Sequence, residues 1–258
     1  MRNATASRRA LYDRIGRTYA AIRRPDPRFA AAIRDALGDA RSVVNVGAGT
    51  GSYEPPDLDV TAVEPSEVMI AQRAPGSAPA VRAMAERLPF PDDSFDAAMA
   101  IVTIHHWSDV DAGLAELVRV ARRRVVVLTF DPRAWADSWI VRDYLPEIMG
   151  DHARWKPSIA QVLAALPAAT AEPVLAPNDC TDRMFATLWA RPEEYLDPAV
   201  RAGTSVWDEL PPDVSARALD ALRRDLESGA WDARHGHLRT TPELDVGLRL
   251  VRAELTPR

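Results

Sequence analysis

The sequence predicts an α/β fold built on a mostly parallel sheet, and three observations carry that prediction. The apolar run Val43-Val44-Asn45-Val46 leads straight into Gly47-Ala48-Gly49-Thr50-Gly51, a turn with glycine at every second position. Glu64 stands thirteen residues beyond Gly51, at the end of a second apolar run, Val60-Thr61-Ala62-Val63. Short apolar runs then alternate with helical stretches as far as residue 130. Such alternation implies right-handed crossovers and a parallel sheet.

The elements follow in order. Leu11, Ile15 and Thr18-Tyr19 recur at helical spacing until Pro25-Asp26-Pro27 breaks the pattern. A second helix runs over 29–37 and ends at Gly38, a suitable C-cap. Strands are expected over 42–46, 60–64, 80–84, 95–101 and 124–130, with helices over 66–73 and 110–121. After Asp131 the regularity fails. Residues 135–149 read as one amphipathic helix with Trp139, Ile140, Tyr144 and Ile148 on one side. Ser158 is placed to cap a helix over 159–166. Residues 172–176 read as a sixth strand, and 177–244 as a helical stretch broken by prolines. The run 246–254 alternates like a half-exposed strand.

Composition sets limits. At 258 residues and 47% apolar, the chain buries a full core and is expected to form a single domain over 1–258. Within it, 1–40 reads as a helical cover and 41–130 as the cofactor-binding core, while 131–157 and 177–245 read as a helical cap. No run of about 18 apolar residues predicts a membrane span, and the N-terminus lacks an apolar signal core, so a cytoplasmic location is expected. Cys180 is the only cysteine, which excludes an internal disulfide and a cysteine-based zinc site. His152, His235 and His237 show no metal-ligand spacing with nearby acids, so no metal is expected. The net charge of −5 argues against a nucleic-acid partner. The sequence leaves the oligomeric state open.

Strand, glycine turn, helix, strand, acid is the layout of a nucleotide-type site. Glycines let the backbone approach a ligand with no Cβ in the way. The acid is placed to accept hydrogen bonds from two ribose hydroxyls. The spacing is G-x-G-x-G, and Ser52 stands where a dinucleotide fingerprint would have its last glycine. That pattern resembles the first motif of the class I S-adenosylmethionine-dependent methyltransferases.

The resemblance extends further. Residues 85–96, Ala-Glu-Arg-Leu-Pro-Phe-Pro-Asp-Asp-Ser-Phe-Asp, resemble that family's segment between the third and fourth strands. His105-His106-Trp107-Ser108-Asp109 resembles the segment after the fourth. Tyr12-Asp13-Arg14-Ile15-Gly16 through Tyr19 and Arg23 is similar to the helical entry of the branch that methylates small molecules and quinones.

The resemblance implies a Rossmann-like seven-stranded sheet, mostly parallel, with an antiparallel last strand and a helical cap. It implies S-adenosylmethionine as cofactor and a small-molecule acceptor. Gly47, Ala48, Gly49 and Gly51 would pass under the methionine part, and Asn45 stands where the family usually has an acid. Glu64 would hold the ribose, with Pro65 and Met69 flanking the adenine. Met84, Ala85 and Glu86 would lie at the adenine edge, Met84 where the family often has an aspartate. Ile101 would face the sulfonium, while Tyr19 and Arg23 cover the cofactor. Histidine is a suitable general base near neutral pH, which makes His105 and His106 the candidate catalytic residues. All seven tryptophans lie at position 107 or later, and aromatic side chains build apolar pockets. Tyr12, Trp107, Trp135, Trp139 and Tyr144 are accordingly the candidate acceptor contacts. No D/N-P-P-Y/F motif follows the fourth strand, which argues against adenine and glutamine as targets.

The expected function is methyl transfer to a small, largely apolar acceptor. Two other classes compete with it: a non-catalytic cofactor-binding regulator or scaffold, and a nicotinamide-dependent oxidoreductase.

Overall fold

The computed structural model describes residues 22–150 and 157–256. Strands β1 (Ser42–Val46), β2 (Asp59–Val63), β3 (Ala80–Val81), β4 (Phe95–Ile101), β5 (Ala121–Phe130), β6 (Thr170–Pro173) and β9 (Leu248–Glu254) form one sheet in the order β3-β2-β1-β4-β5-β9-β6. The first five are parallel. Strand β9 runs antiparallel to both its neighbours, from Phe130↔Leu248 to Arg124↔Glu254 along β5. The seven-stranded sheet with an antiparallel last strand is therefore as the sequence implies. The chain order reverses at β1, so the crevice beyond β1 and β4 is the place for a ligand.

Local chemistry explains most boundaries. Helix α1 (Pro27–Leu37) is capped by the Asp26 carboxylate, which accepts from the Arg28 N–H at 3.0 Å, and it ends at Gly38 with φ 59°. It buries Phe29, Ile33, Ala36 and Leu37 against the sheet. The single turn α2 (Glu67–Ile70) starts at Ser66. Helix α3 (Val110–Val120), capped by Asp109, buries Leu114, Leu117 and Val120 and passes into β5 without a loop. Helix α6 (Ile159–Ala165) is capped by Ser158 as expected.

The single helix expected over 135–149 is instead broken. It divides into α4 (Pro132–Trp135), α5 (Trp139–Tyr144) and a 3-10 turn, Pro146–Gly150. Ser138 is extended and its hydroxyl donates to the Trp135 carbonyl at 2.7 Å, which interrupts the ladder. Pro146 lacks an N–H and disfavours the helical state of Leu145.

Beyond β6 a two-stranded sheet, β7 (Ala176–Pro177) with β8 (Glu243–Leu244), brackets the entry and exit of the cap. The cap contains α7 (Pro198–Arg201), α8 (Ser205–Glu209), α9 (Pro212–Glu227) and α10 (Ala230–His235), preceded by 3-10 turns at Phe185–Leu188 and Pro192–Leu196 and followed by one at Gly236–Thr240. One apolar cluster unites α1, one sheet face and the cap. A second lies under α3 and α6 on the other face. No described helix is long and apolar enough to cross a membrane.

Candidate active site

The glycine turn takes a conformation that side chains resist. Gly47, Gly49 and Gly51 have φ of 74°, 53° and 90°, in the left-handed region that favours glycine. A Cβ on Gly47 would lie 2.1 Å from Thr103 Oγ1. The N–H groups of Gly47 and Ala48 both donate to the Val63 carbonyl, at 2.8 and 3.0 Å, tying the turn to the end of β2. Met69 is buried beneath it, its Cε 3.2 Å from where a Gly49 Cβ would be.

Glu64 follows β2 and is buried. Its Oε2 accepts from the Gly49 N–H at 2.8 Å and its Oε1 from the Ser66 N–H at 2.9 Å. Burial holds its carboxyl above the ordinary glutamate range, opposed by those two N–H groups and by the charge of Arg73. A carboxylate has about four acceptor positions, so two hydrogen bonds leave capacity for a ribose.

The remaining predicted cofactor residues divide by position. Asn45 is 2% exposed and its Oδ1 has no hydrogen-bond partner among the described residues. Met84 follows the short β3 and is 41% exposed, a large apolar side chain presented to solvent. Ala85 is buried, Pro65 and Ile101 half-buried. Glu86 uses Oε1 to accept from the Ser108 N–H and hydroxyl, both at 2.7 Å, and from the Asp109 N–H at 3.1 Å. It therefore ties the segment after β3 to the segment after β4.

Next to the turn, beyond β4 and β5, is a cleft partly open to solvent. Val102, His105 and His106 line it from the segment after β4, Phe130 and Trp135 from the end of β5 and α4. Met184, Phe185 and residues 203–206 come from the cap, and Arg23 from the N-terminal side. The histidine rings are 3.8 Å apart between centroids. Phe130, Trp135 and Phe185 form a row with successive centroids 5.4 Å apart. Val102 has φ 51°, a strained conformation for a β-branched residue, at the point where the chain turns along the cleft.

Not every predicted acceptor residue reaches this cleft. Trp139 is buried in the cap, where its Nε1 donates to the Trp189 carbonyl at 2.8 Å. Tyr144 is buried beside it and its hydroxyl donates to Asp225 Oδ2 at 2.7 Å. Trp107 packs edge-on against Gly113 of α3. All three are packing residues in this structure, away from the cleft lining. Tyr12 and Tyr19 lie outside the described residues.

Arg23 lines the cleft but is held by a partner the sequence did not disclose. Its Nε and Nη2 donate to the Asp182 carboxylate at 2.5 and 3.2 Å, and the Tyr53 hydroxyl donates to the same group at 2.7 Å. Tyr53, just past the glycine turn, has φ 69°. No motif signals contacts between residues 129 and 159 positions apart. Glu54 and Arg73, behind the turn, pair across only 19 positions, but no motif spacing marks them. Among the described residues no cluster of three or more metal-ligating side chains occurs.

The residues present fit S-adenosylmethionine. The glycines hold the positive φ that the turn needs, Glu64 keeps acceptor capacity, and Asn45 Oδ1 lacks a donor among the described residues.

Comparisons with known proteins agree. The family described as a methyltransferase domain matches residues 44–129. A crystal structure of a protein assigned as a methyltransferase of an antibiotic biosynthesis pathway, from Anabaena variabilis, is 34% identical. That match covers 91% of this chain and 99% of the other, with a TM-score of 0.84. A demethylmenaquinone methyltransferase of Beutenbergia cavernae is 37% identical over 113 residues, 40% of this chain and 47% of that protein. The chain thus matches less than half the length of its curated relatives. A S-adenosylmethionine-dependent methyltransferase of Thermotoga maritima, described as a possible histamine N-methyltransferase, shares the fold. Its identity is 16% and its TM-score 0.57, over 96% of this chain and 99% of that one.

Proposed function

The chain belongs to the class I S-adenosylmethionine-dependent methyltransferases, and on that premise we propose that it methylates a small, largely apolar acceptor seated in the cleft. One observation carries the proposal. The cleft is lined by a row of aromatic rings, Phe130, Trp135 and Phe185, and by the His105–His106 pair. Apolar walls with a few convergent polar groups are the usual make-up of a small-ligand site.

Bound S-adenosylmethionine supplies a methyl group already activated by the sulfonium. The glycine turn, Glu64 and Asn45 would hold it at the ends of β1 and β2. Phe130, Trp135, Met184 and Phe185 would orient the acceptor and exclude water, and alignment of this kind removes much of a barrier. For a hydroxyl acceptor, His105 or His106 would take the proton from oxygen. Both lie on the short segment that Glu86 ties down through Ser108 and Asp109.

The test is turnover with S-adenosylmethionine and a panel of ring-bearing apolar acceptors, demethylmenaquinone among them, because it is named for one relative. Formation of S-adenosylhomocysteine with a methylated product is the expected result. Binding of S-adenosylmethionine without turnover on any acceptor would favour the regulatory reading. Binding of NAD in its place would favour the oxidoreductase.

A further inference from the structure

A buried ion pair lies behind the glycine turn. Arg73 Nη2 donates to Glu54 Oε2 at 2.6 Å, and the two side chains are 6% and 9% exposed. The pair reaches the turn by two routes. Arg73 Nη1 donates to the Gly49 carbonyl at 3.4 Å. Glu54 Oε1 accepts from Asn45 Nδ2 at 3.1 Å.

The second contact has a consequence for the amide. A carboxylate only accepts hydrogen bonds, so it selects the nitrogen side of Asn45. The amide cannot turn over without setting oxygen against oxygen. Asn45 Oδ1 is thereby held away from Glu54, buried, and without a partner among the described residues. Buried acceptors are almost always paired. This one sits at the carboxyl end of β1, two residues before Gly47, on the side of the sheet where ligands bind. A donor from the ligand is the missing partner.

We propose that Glu54, fixed by Arg73, is a positioning residue that aims the Asn45 carbonyl oxygen at the ammonium of the cofactor's amino-acid end. The inference rests on the cofactor reading above. The negative charge behind the turn is carried at position 54, and Asn45 relays it as an oriented dipole. An acid at position 45 would stand beside Glu54, where two carboxylates repel. The charge can therefore move between the two positions, but it cannot be doubled.

Two ligands separate positioning from simple support. S-adenosylhomocysteine carries the amino acid, whereas 5′-methylthioadenosine keeps the adenosine and sulfur without it. In Glu54→Gln the new amide satisfies Arg73 with its oxygen and presents its nitrogen to Asn45. Asn45 then turns over and points Nδ2 at the ammonium. Calorimetry should show about a tenfold or greater loss of affinity for S-adenosylhomocysteine, with methylthioadenosine binding changed by less than about threefold.

The exchange variant Asn45→Asp/Glu54→Gln restores one charge and one amide in swapped positions. It should fold and bind S-adenosylhomocysteine within about threefold of the unaltered protein. Equal losses for both ligands in Glu54→Gln, or no loss for either, overturn the proposal. So does an exchange variant that fails to fold or fails to recover affinity. If Glu54→Gln itself does not fold by circular dichroism, the exchange variant decides. An unaltered protein that binds neither ligand sinks the cofactor reading itself. Normal binding with an indifferent Glu54→Gln sinks only this inference.

Discussion

From β1 to the end of β4 the candidate site is shaped by backbone: three glycines at positive φ, two N–H groups on the Val63 carbonyl, and a carboxylate held by two more N–H groups. From the end of β5 onward it is shaped by side chains. Phe130, Trp135 and Phe185 form the wall, and behind them Trp139 meets Tyr144, Tyr195 and Trp231 edge-to-face at 5.9, 5.6 and 5.2 Å. Backbone geometry tolerates few residues at few positions. An aromatic core tolerates many arrangements that fill the same volume. The first half can therefore bind one fixed ligand, while the second is free to differ in what it admits. The two halves should then fail in different ways.

The largest effect is expected in the cap. Trp231 is 0% exposed and packs on Trp139 and His235. Trp231→Ala should cost about 3–5 kcal/mol of stability by denaturant unfolding. Cofactor affinity in the folded population should stay within about threefold, since the site is distant and the effects should add independently. A parallel fall in affinity would break the division between the halves.

Glycine substitutions sharpen it from the other side. Gly47 and Gly76 both have positive φ, 74° and 85°, so alanine at either pays a left-handed penalty of roughly 1–2 kcal/mol. A Cβ at Gly76 meets nothing within 4 Å, whereas at Gly47 it meets Thr103. Gly76→Ala should leave cofactor binding intact. Gly47→Ala should weaken it at least about tenfold and destabilise the fold by a further ~1–3 kcal/mol. Equal behaviour of the two variants in calorimetry would show that the turn's shape does not matter for binding.

The same division governs what the sequence disclosed. The glycine turn, Glu64 and the helix caps at Ser158 and Gly38 are legible because each depends on a residue type at a short, fixed spacing, whereas the antiparallel direction of the last strand came from the family resemblance. The break of the 135–149 helix was marked by Ser138 and Pro146, but amphipathic periodicity outweighed both. The roles of Trp139, Tyr144 and Trp107 were not legible. Periodicity places an aromatic residue on a buried face and does not say whether that face meets a ligand or another helix. Asp182, which gathers Arg23 and Tyr53, depends on segments 159 and 129 positions away, and Glu54 meets Arg73 across 19 positions with no motif spacing to mark the pair. Only the fold reveals such contacts.

Glu64→Ala tests the fixed half with a smaller effect. A carboxylate accepting from ribose contributes about 1.5–3 kcal/mol, so S-adenosylhomocysteine affinity should fall by about one to two orders of magnitude. The loss of two backbone partners at Gly49 and Ser66 adds to the change. Unaltered affinity by calorimetry would remove Glu64 from the site.

The smallest effect is a proton linkage, and its sign distinguishes a ligand-binding carboxylate from a structural one. Burial raises the folded-state pKa of Glu64, against the pull of Ser66, Gly49 and Arg73. The folded protein therefore holds this proton more tightly than the unfolded chain, whose glutamate titrates near about pH 4.3. The stability Glu64 contributes without ligand is fully present below that pH and is lost as pH rises through its raised folded value. Ribose hydroxyls donate only usefully to the ionised form, so cofactor affinity should rise with pH over the same window. The two slopes are opposite. Other carboxylates, Asp26 and Asp96 among them, are held below their ordinary range by neighbouring arginines and backbone N–H groups and titrate in both proteins alike. The difference between the unaltered protein and Glu64→Gln isolates the one group. Denaturation midpoints and S-adenosylhomocysteine titrations from about pH 4.3 to 7 should show both slopes flattened in Glu64→Gln, the affinity slope by at most about tenfold per pH unit. A flattened stability slope with an unchanged affinity slope would leave Glu64 as a brace for the glycine turn that never meets the ribose.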